Sequence, residues 1–125
     1  MISKNVYAPP NRLPKVVKAI MLEGERILFH LHQTRAKHPI TPDTIYITNF
    51  RVIRYSPKLL GLKHETEDYY YKDIANVKID KGLIYSSILL KVRFLSHDLI
   101  FEDISTRDAE EMFRIIGEII KQEIK

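Results

Sequence analysis

Hydrophobic and polar positions follow a helical period near the start of this chain, period two through its middle, and a helical period again at its end. Residues 1–13 are polar, include Ala8, Pro9 and Pro10, and read as an extended or poorly ordered lead-in. Pro14 suits the first turn of a short helix, PKVVKAIML, which buries Val17, Ile20 and Met21 and exposes Lys15 and Lys18. Gly24 ends that helix, where a left-handed residue is wanted. From Glu25 the pattern alternates, with Ile27, Phe29 and Leu31 on one face and Leu28, His30 and His32 on the other. Two further strands lie in DTIYITNFRVIRYS, a fourth in HETEDYYY, and a fifth in DIANVKID with Val77 and Ile79 on one face. A sixth, SSILLKVRFL, aligns Ile88, Leu90, Val92 and Phe94, and HDLIFEDI is the seventh. Pro57 closes the third strand, KLLGLK loops around Gly61, and Lys81-Gly82 turns the chain.

The register of the second hairpin can be argued from side-chain chemistry. A two-residue loop would oppose Ile45 to Arg54 and Tyr46 to Ile53, mixing both faces. A three-residue loop of Asn49, Phe50 and Arg51 instead pairs Ile47 with Ile53 and Ile45 with Tyr55. That choice leaves Tyr46, Thr48 and Arg54 on a wetter face. It is the register expected, with Arg51 in the loop and Arg54 solvated.

After the seventh strand, Ser105 and Asp108 stand in a capping-box spacing before TRDAEEMFRIIGEIIKQEIK. Ala109, Met112, Phe113, Ile116, Ile119, Ile120 and Ile124 form an apolar stripe, with Glu110, Arg114 and Glu118 four apart outside it. Seven short strands with brief loops form an antiparallel meander that must curl or split into two layers. The helix must bury its stripe, and the open end of the curled sheet offers the surface. The expected architecture is therefore mainly β: a seven-stranded antiparallel curled sheet or barrel capped by one amphipathic helix, with a short N-terminal helix, in a single domain over residues 14–125.

Composition narrows the function. Cysteine is absent, which removes disulfides and thiolate chemistry. The longest apolar runs are far below the roughly 18 residues of a membrane span, and the N-terminal sequence shows no apolar signal core. A cytoplasmic location is the expectation. The net charge of +4 is unevenly divided: residues 1–64 hold 11 Lys and Arg against 3 Asp and Glu, and residues 65–125 hold 9 against 13. A basic half (+8) and an acidic half (−4) fit an anionic partner, or copies meeting basic face to acidic face.

From Pro14 onward the sequence resembles the prokaryotic pleckstrin-homology (PH)-like domains, including the YokE-like group. The residues that carry this are GERI at Gly24 to Ile27, TNFRVI at Thr48 to Ile53, YKDIANV at Tyr71 to Val77, the turn near Gly82, and the C-terminal helix. The resemblance implies a seven-stranded barrel capped by a helix, usually without known enzymatic activity, whose members sometimes assemble into rings. Two features depart from eukaryotic PH domains. The chain has no Trp for the C-terminal helix, and the first hairpin holds only Arg35 and Lys37 in place of a dense basic motif. Phosphoinositide specificity does not carry over.

In a meander, alternate loops share an end. TRAKHP should then lie beside PKLLGLKH, bringing Arg35, Lys37, His38, Lys58, Lys63 and His64 to one rim with few carboxylates near it. Such a rim would attract an anionic headgroup or an acidic protein segment, and Leu59, Leu60 and Leu62 could enter a bilayer interface beside it. Other constellations point elsewhere less well. His30 and His32 share a face and could ligate a metal with His38 or His64, but such pairs more often line a sheet, so no metal or cofactor is expected. Tyr69 to Tyr71 offer stacking faces, yet Glu65, Glu67 and Asp68 on the same solvated strand repel phosphate, which argues against nucleic acid. No glycine-rich phosphate loop, nucleophile elbow or base–nucleophile pair is present. The expectation is a non-enzymatic module acting by protein contact or self-association. The alternative is a peripheral membrane adaptor that binds anionic lipid through the rim.

Overall fold

Seven strands form in chain order, and each pairs only with its sequence neighbours. The computed structural model describes residues 13–123. A four-stranded antiparallel sheet holds β1 (Ile27–His32), β2 (Thr44–Thr48), β3 (Arg51–Lys58) and β4 (Lys63–Tyr70). A three-stranded one holds β5 (Ile74–Asp80), β6 (Tyr85–Val92) and β7 (Leu99–Ser105). Helix α1 (Lys15–Ile20) precedes them and α2 (Thr106–Glu123) follows. Of the expected lead-in and terminal stripe, residues 1–12 and Ile124 lie outside the described residues.

The main core fills the space between the sheets and α2. Phe29, Leu31, Ile45, Ile47 and Val52 from the first sheet meet Ile74, Ile88, Leu90, Val92, Phe101 and Ile104 from the second. Helix α2 closes it with Ala109, Met112, Ile115, Ile116 and Ile120. The stripe is centred on Met112 rather than Phe113, so Ile115 turns inward and Phe113 is partly exposed. The Asp108 N–H donates to Ser105 Oγ at 3.2 Å, which caps the helix as expected. Arg114 pairs with Glu118 at 3.3 Å and also with Glu111 at 2.7 Å. Phe94, expected beside Val92, is exposed because β6 ends at Val92 and the chain turns.

A second, smaller core explains where the hairpin expectation fails. Leu13 and Val17 pack on Tyr46 and Ile53, with Val16, Ile20, Met21, Ile27 and Tyr55 around them. Both faces of the β2–β3 hairpin are therefore buried, and the hairpin has no wet face to separate. The register is the two-residue one, with Ile45 opposite Arg54, Tyr46 opposite Ile53 and Ile47 opposite Val52. Ile27 joins this second core because a bulge between Ile27 and Phe29 turns it away from Phe29 and Leu31. Arg54 is not solvated: its guanidinium lies 4.3 Å from the Phe101 ring centroid and donates to the Ile100 carbonyl at 2.6 Å. Helix α1 ends at Ile20, since Met21 is already extended. Gly24, at φ 81°, serves a separate turn closed by the Glu25 N–H on the Leu22 carbonyl.

That turn is locked to the hairpin by a buried ion pair. Arg51, the first residue of β3 and not a loop residue, gives Glu25 two hydrogen bonds, Nε to Oε2 at 2.9 Å and Nη2 to Oε1 at 3.0 Å. It also reaches Asp68 at 2.9 Å and the Ile20 carbonyl at 2.6 Å, and lies over the Tyr70 ring. Glu25 further accepts from Thr48 Oγ1 at 2.6 Å and from the Leu22 N–H at 3.0 Å. Asn49 clasps the same turn through the Arg26 N–H and the Gly24 carbonyl. Tyr71 donates to the Thr48 carbonyl at 2.7 Å. Burial alone would push the Glu25 carboxyl up, but the hydrogen bonds from Arg51, Thr48 and Leu22 outweigh it and hold it below its ordinary value.

Two outcomes follow for stability. Arg51→Met leaves a buried carboxylate without its partner and should cost about 3–5 kcal/mol in urea denaturation. The double variant Arg51→Met with Glu25→Leu should recover part of that loss, and equal losses would contradict the ion-pair account. Glu25 ionises below the 4.5 of an ordinary glutamate only when folded, so the unfolded chain binds more protons through that range. The stabilisation is complete above the unfolded value and is lost as pH falls through the folded one. Acid titration of Glu25→Gln should show a shallower loss than the wild type.

Candidate functional site

The loops that join β1 to β2 and β3 to β4 leave the first sheet from the same end, and the first carries Arg35, Lys37 and His38. Lys58, Lys63 and His64, expected in the second loop, are instead the end residues of the paired strands β3 and β4 that flank it. The first loop is tied toward the second sheet. Gln33 donates its amide to the Glu102 carbonyl at 3.1 Å, and the Thr34 N–H donates to the Asp103 carbonyl at 2.9 Å. His38 Nε2 meets Asp103 Oδ2 at 2.8 Å, and Lys37 Nζ lies 3.7 Å from Oδ1 and over the Tyr85 ring. Asp103 sits in the bulge between β6 and β7 with a left-handed backbone, φ 60°. Beside this contact is a polar notch of about 230 Å³ lined by Lys37, Asp80, Lys81, Tyr85, Ser86 and Asp103, among others. Arg35 is exposed and makes no hydrogen bond or ion pair among the described residues.

The β3–β4 hairpin is built differently. Lys58 and Lys63 stand directly opposite each other in the ladder. Lys58 lies 3.8 Å from Glu65, whereas Lys63 makes no ion pair among the described residues. His64 stacks on Tyr55 with ring centroids 5.6 Å apart, and its Nδ1 is 2.7 Å from the Tyr55 hydroxyl. Between the lysines, the Leu62 N–H donates to the Leu59 carbonyl at 3.1 Å and closes one tight turn. Leu59, Leu60 and Gly61 are successive left-handed residues, at φ 51°, 55° and 90°. Leu59, Leu60 and Leu62 are 67%, 77% and 87% exposed.

The rim thus divides into two groups. Lys37 and His38 share Asp103, while Lys58, Lys63 and His64 share the hairpin, and no hydrogen bond, ion pair or ring contact among the described residues links the two sets. The expectation of few nearby carboxylates is corrected: Asp103 and Glu65 take up part of the charge. Asp103 was missed because its role depends on a bulge that brings distant residues together. No signal in the sequence marks the bulge, apart from a polar residue tolerant of left-handed backbone. Among the described residues there is no group of three His, Asp or Glu side chains placed to hold a metal. His30 stacks on Tyr46, and burial, then the neighbouring His32, lower its pKa.

A family model described as Bacterial PH domain matches residues 21–118. No curated protein matches the chain. Among solved structures, the chain is similar to a pleckstrin homology domain from Shewanella amazonensis SB2B. The TM-score is 0.72 at 14% identity, over 94% of this chain and 93% of that one. It is also similar to a DUF1696 family protein with a pleckstrin-homology domain from Shewanella loihica PV-4. There the TM-score is 0.67 at 17% identity, over 91% of this chain and 99% of that one. At such identities the likeness establishes the fold.

The first loop should be a local latch. Asp103→Gly removes the carboxylate held by Lys37 and His38 while suiting the left-handed backbone. Amides of residues 36–38 should exchange faster, and global stability should change by no more than about 1 kcal/mol, because a part-exposed ion pair is worth little. Unchanged exchange would show that the Asp103 carboxylate does not hold the loop.

Proposed function

We propose, for a chain that belongs to the bacterial PH domain family, a non-enzymatic role as a cytoplasmic binding module that docks the loop end of its barrel against a partner. The observation that carries this reading is the exposed tip of the β3–β4 hairpin, Leu59, Leu60 and Leu62 between two lysines. What supports it further is the contrast with the interior. The buried charges, Glu25 and Arg51, are consumed by one another and by backbone groups, so they hold the fold and are not free for chemistry. Exposed aliphatic side chains gathered on a loop with uncompensated charge are the mark of a contact surface.

A second reading, contact between copies of the chain, rests on the division of charge. The acidic residues Glu65, Glu67 and Asp68 lie on β4, which is an edge of its sheet, and the first half of the chain is strongly basic. A basic face of one copy can meet the acidic edge of the next.

Capture from native lysate, with bound proteins and lipids identified by mass, tests the docking reading. The wild type should retain a partner that Leu60→Asn/Leu62→Asn loses, at an unchanged unfolding midpoint, and identical partners on both would sink it. Light scattering after size exclusion tests the second reading. A mass above the monomer at low salt should fall to the monomer at high salt, and a monomer under both conditions removes it.

A further inference from the structure

We infer that a cavity at the other end of the first sheet, away from the β1–β2 and β3–β4 loops, binds an aromatic carboxylate. Phe50 and Tyr70 hold its ring, and its carboxylate faces Lys72 and Asn49. The cavity measures about 310 Å³ and is lined by Asn49, Phe50, Tyr70, Tyr71 and Lys72, which puts it at the lower end of the size range of small-molecule sites. It lies between the β2–β3 turn and Tyr71–Asp73, the segment that joins the two sheets.

Its walls are fixed by the chain itself. Tyr71 donates to the Thr48 and Arg51 carbonyls, and the Phe50 N–H donates to Thr48 Oγ1 at 3.0 Å. Asn49 is held at Arg26 and Gly24. Arg93 anchors the backbone under Lys72, with Nε on the Lys72 carbonyl at 3.0 Å and its N–H on the Asp73 carbonyl at 2.8 Å. A preformed site spares its ligand the cost of ordering the walls. The groups that face the cavity are nonetheless unused. Among the described residues the Phe50 and Tyr70 rings make no ring contact with each other, and the Tyr70 hydroxyl makes no hydrogen bond.

Charge selects the ligand. The Arg51 guanidinium lies over the Tyr70 ring, 5.7 Å from its centroid, and draws the π density toward itself. The open face is then poor for a cation and good for another ring. None of the lining residues is acidic, and Glu25 and Asp68 are both engaged by Arg51. Lys72 is exposed and makes no ion pair among the described residues. Asn49 commits one of its two amide hydrogens, to the Gly24 carbonyl at 3.1 Å, and keeps the other for an acceptor. A ring bearing a carboxylate meets all of these groups at once. Two sources supply that chemistry: a small aromatic acid, or an aromatic residue at the C-terminus of a partner chain.

Titration of the isotope-labelled full chain with phenylpropionate, its amide and phenylpropylammonium, followed by amide NMR shifts, reads the charge preference. Phenylpropionate should shift the amides of residues 49, 50 and 70–72 with a Kd on the order of a millimolar. Its amide should bind about two- to fivefold more weakly, and the ammonium more weakly still. Lys72→Gln should abolish the preference for the carboxylate and leave the affinity for the amide unchanged. Tyr70→Leu should weaken binding of phenylpropionate and of the amide about two- to tenfold. The tetrapeptide Gly-Ser-Gly-Phe with a free C-terminus separates the sources. Binding at least as tight as that of phenylpropionate assigns the site to a chain terminus, and weaker binding assigns it to a small acid. The inference is overturned by the absence of saturable shifts at these residues with every probe, or by equal affinity across the three charges. A preference untouched by Lys72→Gln, or binding untouched by Tyr70→Leu, overturns it as well.

Discussion

A guanidinium sealed from water needs an acceptor at each of its nitrogens, and Arg51 finds them on separate parts of the chain. Glu25 lies in the turn after α1, Ile20 at the end of α1 and Asp68 on the edge strand β4. With side-chain exposures of 6% for Arg51 and 0% for Glu25, neither charge can be left unmatched. The pair therefore fixes where α1 lies against the outer face of the first sheet. It thereby sets the second core under that helix, and with it the two-residue register of the hairpin. The rest of the first sheet is arranged around this one constraint.

The stretches that carry the family resemblance meet at that same place. Gly24, Glu25 and Arg26 form one side of the clasp, Thr48, Asn49 and Arg51 the other, and Tyr71 seals it by donating to the Thr48 and Arg51 carbonyls. Gly24 is required for its φ of 81°, which suits the turn, whereas a Cβ there would meet the Phe50 ring only in ordinary contact at 3.8 Å. These residues form a single hydrogen-bonded device. Its chemistry is conformational, which is why polar groups at such density produce no reactive constellation.

Sequence reasoning reached the seven strands, the capping helix and the order of elements because each depends on local period. It failed where two elements cover one hairpin. Alternation assigns one wet face to Tyr46, Thr48 and Arg54, but α1 dries the face that holds Tyr46 and Ile53, and β7 covers Arg54. The charge on Arg51 and Arg54 misled for the same reason: a long basic side chain is read as solvated unless its acceptors, 17 to 46 positions away in sequence, are known. For the candidate site, Arg35, Lys37 and His38 were legible as loop residues of a meander, whereas Lys58, Lys63 and His64 were read as loop residues although they end the paired strands. The bulge at Asp103 that divides them was not, since a bulge is a property of two strands and not of one.

The distribution of strain separates the two kinds of loop at the barrel end. Asp103 is left-handed, but its carboxylate is engaged by His38 and lies near Lys37, and its carbonyl accepts from Thr34, so the unfavourable backbone is offset by contacts inside the chain. Leu59 and Leu60 share the same backbone region with no comparable return: their side chains are exposed, and the strand mouth beneath them opposes two lysines. Among the described residues only Arg54 Nε is a buried side-chain polar atom left without a hydrogen bond, and nothing inside the chain gives a reason to keep an apolar, like-charged, strained turn. That turn is the part of the barrel end whose unfavourable backbone no contact among the described residues offsets.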